Sequence, residues 1–145
     1  MFGEVLAAAL GSFAFSVLFG VPRKYYPYCG LIGGASWIVY LGFEQFGTIM
    51  ACLAATVAVV LLSRLTAIRE KCPVTIFLIS GIFPLVPGSY VYWTAYYFVT
   101  DQTGLAAENG YTAIKIAFAI VLGIVFVFEI PQKVFLAVLG DREKR

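Results

Sequence analysis

The sequence predicts an all-α fold: a polytopic membrane protein with five transmembrane helices, the fourth broken at mid-membrane. Three observations carry this. The 145 residues are 61% hydrophobic, with a mean hydropathy of +0.92. Five apolar stretches approach the ~20 residues that a spanning helix needs. One of them contains two prolines near its centre. Charged residues make up only 12% of the chain, about half the share usual in a soluble domain. A water-soluble core of this size cannot bury so much apolar surface. The chain reads as a single transmembrane domain, residues 1–145.

Each element has its own grounds. The first segment covers residues 2–20. It carries Glu4 instead of a basic n-region and ends in Val21-Pro22 rather than a small-x-small cleavage site, so it reads as a retained helix. The second covers residues 28–43 and the third 46–65. Small residues recur every fourth position: Ala8, Ser12, Ser16 and Gly20; Gly30 and Gly34; Gly47, Ala51 and Ala55; Ala119 and Gly123. Such stripes let helices approach closely where lipid supplies no hydrophobic drive. The fourth segment covers 73–99, with a break near 84–88, and the fifth covers 111–130. After Pro131 two readings stay open. Val134, Phe135 and Val138 share a face, so 131–140 lies on the membrane surface, or the fifth helix continues, tilted, to Leu139.

Every Lys and Arg except Lys115 falls in the first loop (Arg23, Lys24), the third loop (Arg64, Arg69, Lys71) or the tail (Lys133, Arg142, Lys144, Arg145). The positive-inside rule then puts the C-terminus in the cytoplasm and the N-terminus outside the cell (inner) membrane. Glu4 and Glu44 become outer interfacial residues. Basic residues confined to short loops and the tail give no footprint for nucleic acid. The chain has no His, and its three cysteines have no paired spacing, which leaves no metal site, no disulfide framework and no cofactor to expect. No nucleophile–base motif is present, so no catalytic residue is assigned and the chain is not expected to be an enzyme.

The Pro84-Leu-Val-Pro87-Gly88-Ser89-Tyr90 run is the candidate site. Proline removes a backbone donor and clashes with the preceding turn, so a helix entering near Val74 should break and restart near Ser89. Freed backbone groups survive in a bilayer only against protein or a wet cavity. A restarting helix presents unpaired N–H groups and partial positive charge, the natural partner of a carboxylate. Pro84, Pro87, Gly88, Ser89, Tyr90 and Tyr92 are therefore the candidate substrate-binding residues. The competing reading is a kink that shapes packing and binds nothing. Glu129, the deepest acid, is the candidate for ion coupling, against a plain snorkelling role.

The same run resembles the signature of the threonine/serine exporter family. So do Leu18-Phe-Gly-Val-Pro-Arg-Lys-Tyr25, Gly30-Leu-Ile-Gly-Gly34 before Trp37, and Ala54-Ala55 with Leu62-Ser63-Arg64. The resemblance runs from the first helix into the fifth, and the length is similar to the short membrane subunit of split, two-component members. It implies export of threonine, serine or small dicarboxylates such as succinate, and a larger membrane subunit of the same family as partner. The expectation is thus a subunit of a secondary exporter, driven by protons, for a small anionic or zwitterionic metabolite. The rivals are a structural subunit without its own site and a small homo-oligomeric channel.

Overall fold

The structure is a computed structural model that describes residues 1–140; Arg142, Lys144 and Arg145 of the expected basic tail lie outside the described residues. Seven α-helices and no strand are found among the described residues: α1 (Phe2–Leu18), α2 (Tyr26–Phe43), α3 (Thr48–Glu70), α4 (Thr75–Ile82), α5 (Gly88–Val99), α6 (Thr103–Phe128) and α7 (Gln132–Gly140). α3 and α6 are each long and apolar enough to cross a membrane, and α4 with its 3-10 extension plus α5 makes a third such unit, bent by 50°. The expected five crossings would add α1, a shorter apolar helix of 17 residues, and α2, whose opening Tyr26-Pro27-Tyr28 and glycines dilute its hydropathy.

The helices form a row in which α1 packs on α2, α2 on α3, α3 on α6 and α6 on α5. α4 fills the angle between α1, α2 and α3. The core follows from that arrangement. Phe77 of α4 is fully buried, with the edges of Tyr25 and Tyr28 against its ring and Cys29, Ile32, Val59 and Leu85 in the same cluster.

The small-residue stripes act at part of the expected positions, and Gly33, outside them, makes the tightest approach. Ala8, Ser12 and Ser16 are the buried face of α1, and the glycines of α2 meet it. A Cβ added at Gly33 would stand 1.9 Å from Ser12 Oγ, and one at Gly30 would stand 3.2 Å from the Ala9 carbonyl. Gly81 and Gly123 play the same part against Ile32 and Thr56. Gly20 and Gly47 are turn glycines instead, with φ of 68° and 103°, conformations that a side chain resists.

Element ends differ from the sequence reading in informative ways. α3 runs five residues past its expected end at 65, to Glu70. Arg69 looks like a loop residue but is a good helix former, and the helix stops only where Lys71 adopts a left-handed φ of 54° two residues before Pro73. α6 begins at Thr103 rather than 111, because the polar 103–110 stretch holds no proline to prevent helix. Asp101, with φ 61°, makes the turn out of α5. Of the two readings after Pro131, the structure has a separate helix: α6 ends at Phe128 and α7 starts at Gln132.

Arg64 departs most from its sequence reading. It is buried, 9% exposed, instead of sitting in a basic loop. Its guanidinium donates to the Val127 carbonyl and, at 2.9 Å, to that of Ile130. It also lies over the Phe135 ring at 4.3 Å. A cation on the last carbonyls of a helix satisfies orphan acceptors and complements the helix dipole, while the ring adds a cation–π contact. Arg64 thus ties α3 to the α6–α7 corner.

Candidate functional site

The break is built by three consecutive local rules. α4 tightens into a 3-10 turn over Phe83–Leu85, and Phe15 of α1 stacks on Phe83. Val86, which precedes a proline, is forced extended at φ −62°, ψ 130°. Pro87, at φ −76°, ψ 50°, closes an inverse γ-turn in which the Gly88 amide donates to the Val86 carbonyl at 2.7 Å. α5 then starts at Gly88, and its first α-helical bond runs from the Val91 amide to the Pro87 carbonyl. The amides of Ser89 and Tyr90, between these two bonds, have no backbone acceptor among the described residues.

A cavity of about 100 Å³ lies against this break. Pro84, Pro87, Ser89 and Tyr90 line it; Gly88 and Tyr92 do not. A Cβ at Gly88 would meet nothing within 4 Å, and Tyr92 is 61% exposed, turned into an aromatic cluster with Trp93 and Tyr96. Sequence reasoning missed the opposite wall, formed by Trp37 and Tyr40 of α2, Thr48 and Cys52 of α3, and Ile116 of α6. Only the helix order could have pointed to it: Trp37 and Tyr40 lie on one face of α2, and Thr48 and Cys52 on one face of α3. Among the described residues, no charged side chain lines the cavity.

The break falls about 18 Å from the start of α4, counting 1.5 Å per α and ~2.0 Å per 3-10 residue. The wall nevertheless includes Thr48, the first residue of α3. The cavity therefore sits toward the helix ends that carry Glu4 and Glu44. Glu129 is not part of it. It caps the far end of α6 and is exposed, 13 residues beyond Ile116, about 20 Å along the helix.

A larger cavity lies elsewhere. It measures about 600 Å³ and runs between Val39 and Phe43 of α2 and the Met50–Leu61 face of α3. Its lining is almost wholly apolar, so it offers nothing to orient a polar metabolite. The hydroxyl-lined cavity at the break is the candidate site.

Two helices long and apolar enough to cross a bilayer, with a bent α4–α5 pair that makes a third if it counts as one span, mark a multi-pass helical membrane protein. The family described as Threonine/Serine exporter, ThrE, matches residues 4–130, and the chain belongs to this family. It is 29% identical over 126 residues to a probable threonine/serine exporter of Mycobacterium tuberculosis, an alignment covering 82% of the chain and 24% of that relative. The chain thus spans about a quarter of the relative's length. No solved structure matches the chain.

Proposed function

We propose that this chain is a membrane subunit of a proton-coupled secondary exporter of small amino acids, threonine or serine, with its substrate site at the break between α4 and α5. The observation that carries the reading is the combination of a helix start, with Ser89 and Tyr90 amides unpaired among the described residues, and an uncharged cavity walled by hydroxyls and three aromatic rings. The amides suit a carboxylate. The faces of Trp37 and Tyr40 suit an ammonium, and the hydroxyls suit a short polar side chain.

The uncharged wall favours a zwitterion over a dicarboxylate such as succinate, whose second carboxylate would be desolvated without a partner. A cavity of about 100 Å³ suits a small metabolite better than a peptide or nucleotide. In this reading α1, α2, α3, the α4–α5 pair and α6 are five crossings, with the N-terminus outside and α7 at the cytoplasmic surface. A larger membrane subunit of the same family supplies the opposite half in inverted orientation.

Efflux of labelled L-threonine from cells expressing the chain with its partner tests the reading. Pro87→Ala, which lets α4 and α5 merge, is expected to abolish efflux while the protein still inserts. Normal efflux by that variant contradicts it.

A further inference from the structure

Glu4 lies on the first turn of α1, where the sequence reads as a bare interfacial carboxylate. The structure gives it a specific partner. Trp37, a wall of the cavity, donates its indole Nε1–H to Glu4 Oε2 at 3.4 Å. Trp37 in turn stacks on Tyr40, another wall, with ring centroids 4.8 Å apart and 18° between planes. One carboxylate outside the cavity thus orients two of its aromatic walls.

We infer that Glu4 is the proton-responsive positioning residue of this cavity: ionised, it holds Trp37 and with it Tyr40 in the wall; protonated, it releases them. The inference rests on the cavity being the substrate site proposed above, and it moves the coupling role from Glu129 to Glu4.

The argument is one of donors and acceptors. An indole N–H can only donate, and its 3.4 Å, solvent-exposed bond to the carboxylate is favoured when that carboxylate is ionised. Protonation removes the charge and converts one carboxyl oxygen into a donor, so the hold on Trp37 weakens. Few other groups face Glu4. The amino group of Met1 lies 3.3 Å from Oε1. α1 carries no further ionisable side chain, and neither do α4 nor the Phe83–Leu85 turn packed against it. On α2 the nearest titratable group is Tyr40, whose own electrostatic neighbours are Cys52, Glu44 and Tyr90. Glu129, at the opposite end of α6, has no such link among the described residues.

The chain has two tryptophans, so Trp93→Phe leaves Trp37 as the sole indole. The full-length protein with that substitution is titrated through the carboxyl range, about pH 3 to 6, while emission is followed with and without L-threonine. The expected result is a step in ligand-free emission that Glu4→Gln abolishes, because the amide oxygen accepts from Trp37 at every pH. Glu4→Ala should hold the low-pH emission throughout. Quenching by L-threonine should disappear on the acid side of the step and become independent of pH in Glu4→Gln. A step unchanged in Glu4→Gln overturns the assignment of Glu4 and leaves the site reading intact. A Glu4-dependent step with no response to L-threonine, L-serine or succinate overturns the site reading, and the coupling role falls with it.

Discussion

The α1–α2 pair and the α5–α6 pair are both helical hairpins, yet they are packed on opposite principles. α1 and α2 meet through glycine, alanine and serine, so closely that a single methyl at Gly33 would overlap Ser12. α5 has no buried residue. It touches chiefly α6 and displays Tyr92, Trp93, Tyr96 and Phe98 outward. Where backbones approach this closely, the pair moves as one body or not at all. Where a helix is attached through one neighbour and a proline turn, it can be re-aimed. The cavity sits on the boundary between the two regimes, with Trp37 and Tyr40 from the rigid pair facing Ser89 and Tyr90 from the suspended one. In the proposed exporter, such a division between a rigid and a suspended pair would serve alternating exposure of the site.

The largest expected effect comes from exchanging the two regimes at glycine. Gly33→Val should force α1 from α2 and cost about 3 kcal/mol or more, the upper range for overpacking. Gly88→Val, with nothing within 4 Å of its Cβ position, should change stability by less than ~0.5 kcal/mol. Thermal unfolding in detergent measures both, and equal destabilisation would dissolve the comparison.

Next is Arg64→Met, which keeps the bulk but strips two carbonyls of their donor; about 1–3 kcal/mol is expected. The loss should appear as protease sensitivity at the α6–α7 corner before it appears at α1–α2. Ser12 Oγ is buried with no partner among the described residues, so Ser12→Ala should leave stability unchanged or raise it. A large loss there would mean the hydroxyl has a partner the packing conceals.

The smallest effect concerns the clip at the first turn, where Lys24 Nζ lies 2.8 Å from Glu70 Oε2. That hydrogen bond, and after it the carboxylate's charge, holds the Lys24 ammonium above the usual lysine range. A raised lysine pKa contributes stability that is complete below the unfolded value and lost only as pH climbs through the raised one. The clip is therefore constant through neutral pH. Lys24 is 69% exposed, so Lys24→Met should not measurably shift the unfolding temperature at neutral pH.

How much of this was legible in sequence depended on whether the signal was local. Proline, glycine and small-residue spacing are local, so the break at 84–88 and the buried face of Ala8, Ser12 and Ser16 could be read directly. Element ends were lost where charge was taken for loop. Arg69 and Glu70 continue a helix, and Thr103–Gly110 begins one, because only Pro73 and Asp101 impose a stop. The cavity's second wall was not legible. Trp37, Tyr40, Thr48 and Cys52 come together only through the order of helices in the row. For the same reason Arg64 was taken for a loop charge: its partners Val127 and Ile130 lie more than sixty residues away.

The central claim is that the cavity at the α4–α5 break receives the substrate, and its own thiol can report this. Cys52 lines the cavity, and Cys29→Ala with Cys72→Ala leaves it as the single cysteine. The measurement is the rate at which a small thiol reagent modifies Cys52 in membranes, with and without L-threonine. The account predicts modification that L-threonine slows in a saturable way and that Pro87→Ala makes insensitive to L-threonine. A modification rate unaffected by L-threonine, L-serine or succinate at any concentration would contradict it.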